Sequence, residues 1–329
     1  GIAFDGKPGP FNAITDVAGV SVGYTTLIEG EGALSVGKGP VRTGVTAILP
    51  RPVAELATPV FAGMFSQNGN GELSGSHIIE ETGAFNFPIT ITNTHSCGVS
   101  RDGTLRWMHK VLPAALDSAW GLPVAGETYD GFLNDINGHH LTFEHVSAAL
   151  DNATSGAIEE GSVGGGTGMI TFGFKAGSGT ASRTVAWQGR DHVLGVFVQA
   201  NFGKRHNLTI RGRRVGKELA EPAVREGTPR AEKGSIIAVV ATDAPLLPHQ
   251  MKRLARRIPL GIAMTGGFAY HSSGDIFLAF STANPGAAKA PSGRLASADF
   301  IPDTDIDPFF DAVVQGVEEA ILNALIANE

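Results

Sequence analysis

The sequence predicts a single compact α/β unit spanning all 329 residues. Short β-rich runs alternate with glycine turns and with helices of 3.6-residue periodicity, a pattern typical of layered sheets and helices. Hydrophobic residues make up 42% of the chain, enough for a sizeable packed core. The 44 glycines follow no collagen-like repeat, so we expect them to serve local turns and close contacts.

Two strands are predicted near the start of the chain, at residues 20–24 and 44–49, and a third at 89–93. Helices are expected around residues 105–119 and 145–150, and the polar segment 126–136 between them is expected to face a cleft. A glycine-rich stretch at 161–169 precedes a predicted strand at 170–174. It lacks the Gly-Lys-Ser/Thr ending of a phosphate-binding loop, which favours a structural or substrate-facing turn.

The second half begins with a strand predicted at 193–199, followed by a charged segment at 211–234 that is expected to be a solvated loop. A buried strand is predicted next: residues 236–241 form a continuous apolar pattern, and Ser235 is the first residue of the strand. A helix beginning near Pro248 and extending to Ile258 comes next, and a strand, a glycine turn and a strand are expected within 261–284. Asp307 as N-cap and Pro308 at the first helical position predict a last helix.

Charge and cysteine content restrict the partners. A net charge of −7 argues against nucleic acid or an anionic membrane as the main partner, and no apolar run is long enough to cross a bilayer. The single cysteine, Cys97, can form neither an internal disulfide nor a thiolate metal cluster. We therefore expect a small-molecule substrate, no metal or other cofactor, and the cytoplasm rather than the periplasm, although a leader removed before Gly1 is compatible with the sequence.

The junction between charged loop and buried strand suggests chemistry at Gly234-Ser235. A serine that attacks the carbonyl of its own preceding residue needs close approach, which a glycine without a Cβ permits. If that bond breaks, Ser235 gains a free α-amino group with a pKa of roughly 7.7–8.0, able to act as a general base for its own hydroxyl. The sequence has no G-x-S-x-G elbow, and this arrangement needs none.

Several motifs occur in one order along nearly the whole chain: NAITDV at 12–17, ETYDG at 127–131, GSVGGGTG at 161–168, NFG at 201–203, GS at 234–235, ATDAPL at 241–246 and SGD at 273–275. Together they resemble the self-processing aminopeptidases of the DmpA/BapA type, the L-aminopeptidase/D-esterase and β-peptidyl aminopeptidase group. The resemblance implies a four-layer αββα sandwich. It also implies autocatalytic cleavage into segments 1–234 and 235–329, with Ser235 as the nucleophile, and a homo-oligomer, a tetramer of cleaved units.

The resemblance also implies roles for five further residues. Asn201 matches the asparagine of the oxyanion hole, and Ser273 and Asp275 match the hydroxyl and carboxylate that hydrogen-bond around the nucleophile. Some relatives carry Glu at the position of Asp275, one methylene longer. Glu127 matches the carboxylate that receives the ammonium group of the substrate, and Tyr129 an aromatic neighbour of that subsite. The implied substrates are small peptides and aminoacyl amides or esters.

Other readings stay open. A related self-cleaving group transfers acetyl groups to ornithine with Thr as nucleophile, so acyl transfer is an alternative that Ser235 disfavours. A non-enzymatic oligomeric binding protein is a second. Cys97 beside His95 could be a thiol nucleophile, although a lone cysteine in such a turn is more often a small buried residue. A metallohydrolase would need ligands from the scattered histidines, whose spacing matches no tight metal motif: His77, His95, His139, His140 and His271.

Overall fold

Two β-sheets lie face to face between two layers of helices in the computed structural model, which describes residues 2–117, 120–219, 234–288 and 293–328. The strands are β1 (Ser21–Glu29), β2 (Val41–Leu49), β3 (Val60–Gly69), β4 (Ala84–Phe85), β5 (Ile89–Asn93), β6 (Val124–Thr128), β7 (Ile170–Thr171), β8 (Phe174–Lys175), β9 (Ser178–Trp187), β10 (Arg190–Asn201), β11 (Ser235–Thr242) and β12 (Gly274–Ser281). The α-helices are α1 (Ser76–Thr82), α2 (Cys97–Val111), α3 (Pro113–Asp117), α4 (Phe143–Asp151), α5 (Pro248–Ala255), α6 (Ile258–Met264), α7 (Pro285–Ala288) and α8 (Asp307–Ile326).

The larger sheet has six strands in the order β4-β3-β12-β11-β10-β9, and the smaller has four in the order β1-β2-β5-β6. Helices α5 and α8 pack against the outer face of the six-stranded sheet, with α6 packed on α8, and α2 and α4 pack against the outer face of the four-stranded sheet. Buried side chains fill all three interfaces between layers. The predicted αββα sandwich is thus confirmed.

Strand β11 occupies the centre of the larger sheet. All eight of its residues are buried, which explains why the sequence shows a continuous apolar run here rather than an alternating one. It pairs antiparallel with β10 and parallel with β12 over its full length. This pairing fixes the start of β11, and therefore Ser235, between two other strands.

The secondary structure predicted from the sequence differs from the observed elements at several places. Residues 261–264 belong to helix α6, not to a strand: Pro259 occupies the first turn, and Gly261 packs so closely that an added Cβ would lie 2.6 Å from Val317 Cβ of α8. Residues 170–174 form the two-residue strands β7 and β8, because the chain reverses at Phe172 and Gly173, both with positive φ. Asp307 is the first helical residue of α8, and Ile306 is its N-cap.

Helix α2 also begins eight residues before the predicted start at 105, and a break at Leu112 separates it from α3. Much of the predicted charged loop, residues 220–233, lies outside the described residues, as do 118–119 at the end of the first predicted helix. The beginning of that loop is anchored, since Arg211 forms ion pairs with Asp5 at 2.5 Å and Glu318 at 2.9 Å. In the described part of the chain, no helix is both long and apolar enough to span a membrane.

Candidate active site

Ser235 lies at the point where three strands meet. It is the first residue of β11, and its register partners are Asn201 at the end of β10 and Gly274 at the start of β12. The residue is 4% exposed. Its Oγ is buried and has no hydrogen-bond partner among the described residues. A buried hydroxyl without a partner is costly, and Ser235 shares this state with the hydroxyls of Thr90, Ser100 and Thr171, so its position between three strands is what sets it apart.

The peptide group before Ser235 is fixed on both sides. The Gly234 carbonyl oxygen accepts a hydrogen bond from the Gly274 N–H at 3.1 Å. A Cβ on Gly234 would lie 3.1 Å from Phe202 Cα and 3.2 Å from the carbonyl oxygen of Asn201. Glycine is therefore favoured here, because a Cβ would force the neighbouring backbone to move by a few tenths of an ångström. The arrangement leaves the Gly234 carbonyl polarised by an N–H donor and directly adjacent to the Ser235 hydroxyl in the chain.

The Asn201 side chain has a defined orientation. Its Oδ1 accepts a hydrogen bond from the Ile170 N–H at 3.0 Å, and its Nδ2 donates to the Tyr129 carbonyl oxygen at 2.8 Å. Because a backbone N–H faces one end of the amide and a carbonyl faces the other, the two ends cannot be exchanged. Nδ2 carries a second hydrogen, so Asn201 can donate to a further acceptor beside Ser235.

Ser273 and Asp275 flank Gly274, the partner of Ser235. The Ser273 hydroxyl donates to Asp275 Oδ1 at 2.6 Å, and Asn68 Nδ2 donates to Asp275 Oδ2 at 3.3 Å. Burial raises the pKa of the Asp275 carboxyl, and the two hydrogen bonds offset only part of that effect. A cavity lies beside this group, with these lining residues: Phe202, Gly203, Gly234, Ile262, Phe268, Ala269, Tyr270, Ser273 and Asp275.

Glu127, near the end of β6, is a buried carboxylate that is 3% exposed. Its Oε1 accepts the Glu72 N–H at 2.9 Å, and its Oε2 accepts the Thr94 hydroxyl. Burial raises the pKa of Glu127, and the nearby Glu72 carboxylate raises it further, whereas His95 and the two hydrogen bonds act in the opposite direction. A buried anion in this situation has a strong demand for a cation.

Gly71 lies between the Glu127 carboxylate and the strand that flanks Ser235. A Cβ at Gly71 would lie 3.0 Å from Glu127 Oε1 and 3.4 Å from Gly274 Cα. The carboxylate is therefore within a few ångströms of the segment that flanks Ser235. Tyr129 joins the same region through its backbone carbonyl, which accepts from Asn201, while its ring packs edge-on against Phe132 with centroids 5.7 Å apart.

Gly234, Asn201, Ser273 and Asp275 lie next to Ser235 in the chain or in the strand register. Tyr129 joins them through its backbone carbonyl, and Glu127 lies across Gly71 from Gly274. The contacts also add residues that the sequence analysis missed. Asn68 contacts Asp275, Asn70 Nδ2 donates to the carbonyl oxygens of His271 and Ser273 at 2.7 and 3.3 Å, and Thr94 contacts Glu127. The available signal was the alternating Asn-Gly run at 68–71, where polar side chains follow a strand.

The glycine-rich stretch is structural in the described protein. Gly164, Gly165 and Gly166 form a buried 3₁₀ turn. Their N–H groups donate to Thr26 Oγ1, Thr46 Oγ1 and the Val163 carbonyl at 2.9, 3.1 and 3.0 Å. Donors already used inside the protein cannot cradle a phosphate, so the reading as a structural turn agrees with these contacts.

The two alternative sites find little support in these contacts. Within the described residues, no cluster of three or more His, Cys, Asp or Glu side chains could hold a metal ion. Cys97 is buried, its Sγ contacts the Ala125 carbonyl at 3.5 Å, and burial together with Glu72 and Glu127 raises the pKa of the thiol to about 12. A thiol this hard to ionise is a poor nucleophile.

Comparison with known proteins places the chain in a family. The sequence model of peptidase family S58 matches residues 12–329. The chain is 51% identical to a protein named beta-peptidyl aminopeptidase BapA from Sphingosinicella microcystinivorans, an alignment covering 100% of this chain and 85% of the relative. A second protein of that name, from Sphingosinicella xenopeptidilytica, is 46% identical over 100% of this chain and 84% of its own.

Among solved structures, the chain resembles the L-aminopeptidase D-Ala-esterase/amidase from Ochrobactrum anthropi, described as a prototype for the serine aminopeptidases and a variant of the Ntn hydrolase fold. The TM-score is 0.90 at 48% identity, covering 99% of this chain and 89% of that one. Acyl transfer to ornithine gains no support from these matches. The chain belongs to peptidase family S58 and is an aminopeptidase of the N-terminal nucleophile type.

Proposed function

We propose that the chain cleaves itself between Gly234 and Ser235, and that the new N-terminal Ser235 then removes N-terminal residues from short peptides and from aminoacyl amides and esters. The observation that carries the proposal is the unpartnered, buried Ser235 Oγ beside a Gly234 carbonyl that already accepts the Gly274 N–H at 3.1 Å. Segment 1–234 and segment 235–329 would together form the mature unit.

Self-cleavage begins when Ser235 Oγ attacks the Gly234 carbonyl carbon. The Oγ–C bond forms, the C–N bond between the two residues breaks, and the proton from the hydroxyl ends on the released amine. Water then hydrolyses the resulting ester, which frees the Gly234 carboxylate and regenerates the Ser235 hydroxyl. The Gly274 N–H is already hydrogen-bonded to the oxygen on which negative charge develops, as oxyanion stabilisation requires.

In the mature enzyme the α-amine of Ser235 accepts the proton of its own Oγ as that oxygen attacks the acyl carbon of the substrate. The bond from that carbon to the leaving amine or alcohol then breaks, and the protonated α-amine gives the proton to the leaving group. Asn201 Nδ2 donates its second hydrogen to the oxyanion, a contribution worth roughly 10²–10³ in kcat. Ser273 Oγ donates to Asp275 Oδ1 at 2.6 Å, and this pair orients the hydrogen bonds around the nucleophile. Water hydrolyses the acyl-enzyme and releases the N-terminal residue.

Selection for a free amine follows from Glu127. The buried carboxylate accepts two hydrogen bonds from neutral donors, and a substrate ammonium group would supply the missing positive charge. Tyr129 lines this subsite. The relatives named beta-peptidyl aminopeptidases, at 51% and 46% identity, favour N-terminal β-amino residues among the acyl groups accepted.

A homo-oligomer, a tetramer of cleaved units, and a cytoplasmic location stay predictions. Sedimentation velocity on purified protein measures the assembly directly, and a monodisperse monomer would contradict it.

The test of self-cleavage is a denaturing gel with intact mass on three proteins: the wild type, Ser235→Ala and Ser281→Ala. Ser281 is a matched control, since it is a buried serine at the far end of β12 whose Oγ donates to the Ala244 carbonyl at 2.6 Å. We expect two fragments meeting at 234/235 for the wild type and the control, and one intact, inactive chain for Ser235→Ala. Cleavage in Ser235→Ala would overturn the proposal.

Acyl specificity is tested with p-nitroanilides of L-, D- and β-amino acids and with their N-acetylated forms. Every accepted substrate is expected to carry a free amine, and β-alanyl and β-homoamino acyl groups should be among those hydrolysed. Hydrolysis of the acetylated forms at rates similar to those of the free amines would contradict the role given to Glu127.

A further inference from the structure

Lys175, the last residue of β8, is a partly buried cation that the proposed reaction does not use. Its Nζ donates to the Met169 carbonyl oxygen at 3.1 Å and to the Ala176 carbonyl oxygen at 2.9 Å. Both acceptors are neutral backbone groups. Burial lowers the pKa of Lys175 to about 8. A neutral side chain would fill this place at a lower desolvation cost, so the charge calls for a reason.

The Met169 carbonyl belongs to the same peptide group as the Ile170 N–H. That N–H donates to Asn201 Oδ1 at 3.0 Å, and Asn201 Nδ2 donates to the Tyr129 carbonyl at 2.8 Å. Ammonium, peptide group and side-chain amide therefore form one unbroken series of hydrogen bonds, each donating in the same direction. The series ends at the two Nδ2 hydrogens: one donates to the Tyr129 carbonyl, and the other is the hydrogen proposed above to donate to the oxyanion.

We propose that Lys175 is a positioning residue that strengthens Asn201 as a hydrogen-bond donor through the Met169–Ile170 peptide group. The inference rests on the function proposed above for Asn201. A cation at a carbonyl oxygen polarises the peptide group and makes its N–H a stronger donor. The same effect is then repeated in the Asn201 amide, because hydrogen bonds in series polarise one another by roughly 10–30% per bond.

The contact is also geometric. The hairpin of β7 and β8 reverses at Phe172 and Gly173, which returns Lys175 to the loop that precedes β7. Nζ thus ties the end of the hairpin to its beginning. The Met169 carbonyl also accepts the Ala176 N–H at 3.2 Å, so two donors from the end of the hairpin orient the peptide group whose N–H donates to Asn201 Oδ1.

The variants Lys175→Met, Lys175→Gln and Lys175→Arg separate charge from donation and from packing. Removal of an oxyanion donor costs roughly 10²–10³ in kcat. Lys175→Met and Lys175→Gln should weaken Asn201 as a donor only in part, because the effect passes through the Met169–Ile170 peptide group. We expect kcat to fall about 3- to 10-fold, with KM unchanged. Lys175→Arg keeps the charge and should recover most of the rate. Lys110→Met, an exposed lysine on α2, is the control and should match the wild type.

The decisive measurement combines Lys175→Met with Asn201→Ala, assayed as kcat on a β-alanyl p-nitroanilide after self-cleavage. If Lys175 acts through Asn201, its replacement has no further effect once the asparagine amide is gone. Equal rate losses in both backgrounds, or no loss in Lys175→Met alone, would overturn the inference while leaving the proposed function intact. An Asn201→Ala enzyme with full activity would overturn both.

A second measurement does not depend on the Asn201→Ala variant. An aminoalkyl boronic acid forms a tetrahedral adduct on Ser235 that carries an oxygen at the oxyanion position, whereas the matching alkylamine, which has no boronic acid group, carries none. Lys175→Met should weaken the boronic acid about 3- to 10-fold and leave the inhibition constant of the alkylamine unchanged. Equal weakening of both ligands would show a general structural role and contradict the proposal.

Discussion

Glu127→Gln separates amine recognition from the rest of the reaction. Glutamine fits the existing contacts, because its carbonyl oxygen can accept the Glu72 N–H and its amide can donate to the Thr94 hydroxyl, which in the wild type donates to the carboxylate. The substitution therefore removes a negative charge with little change in packing. Any loss of activity then reports on the charge itself.

The size of the effect follows from the hydrogen bond between a carboxylate and an ammonium group. Such bonds to charged groups contribute roughly 1.5–3 kcal/mol, which corresponds to about 10- to 100-fold in kcat/KM. The assay compares β-alanyl p-nitroanilide with propionyl p-nitroanilide, which differ only in the amine. We expect Glu127→Gln to slow the first by this factor and to leave the second unchanged. The exposed Glu81→Gln is the control.

The same variant makes a second prediction, about stability. Burial raises the pKa of Glu127 above its value in the unfolded chain. The ionised carboxylate therefore destabilises the fold at pH values above the raised pKa. Glu127→Gln should therefore unfold at a higher urea concentration than the wild type at neutral pH. The difference should shrink as the pH falls through the raised pKa. A variant that slows both substrates equally, or that is destabilised at neutral pH, would refute the reasoning.

Three further outcomes are expected. Asp275→Asn should lower kcat about 10²-fold and remove the acidic limb of the pH–rate profile. Burial raises the pKa of Asp275, and activity should fall as the carboxylate is protonated. If the acidic limb is unchanged in the variant, another group titrates there. Asn68→Leu removes the Asn68 donor from Asp275 Oδ2 and the Ala269 carbonyl, while the Tyr270 carbonyl keeps the Ser273 N–H, so urea titration should show a loss of about 1–3 kcal/mol in the free energy of unfolding, and an equally stable variant would contradict the contact. Cys97→Ala should keep kcat/KM within about twofold of the wild type, because the pKa of the buried thiol is raised to about 12, and a larger loss would revive the thiol alternative.

Strand β11 was predictable because its signal is local. An unbroken run of Val, Ile and Ala between a charged segment and a Thr-Asp turn indicates a strand buried on both faces. The observed strand, Ser235–Thr242, begins at the predicted residue and extends one residue beyond the predicted end. The run at 261–264 is just as apolar, yet it forms helix α6. A short apolar run fits either structure, and here the close packing of Gly261 against Val317 of α8 accompanies the helix.

The site was predictable only where a motif carries its residues. Short motifs in the sequence identify Asn201, Ser235 and Asp275 as candidates. Asn68 and Lys175 belong to no such motif, and their contacts are visible only in the folded chain. Asn68 reaches Asp275 because β3 pairs with β12, more than two hundred residues later in the chain. Strand register of this kind is set by the whole sheet, so a single local pattern cannot reveal it.

The strand order also explains how a chain could be cut at its nucleophile and stay folded. Strands β12 and β11 of segment 235–329 lie between β3 and β10 of segment 1–234, in the order β4-β3-β12-β11-β10-β9. Helix α8 of the smaller segment packs on β9 and β10 of the larger. Breaking the bond before Ser235 removes none of these ladders or packed faces. The ladders on either side of β11 would then hold the new N-terminus beside Asn201 and Gly274, so that the amine and hydroxyl of Ser235 stay next to the proposed oxyanion donor.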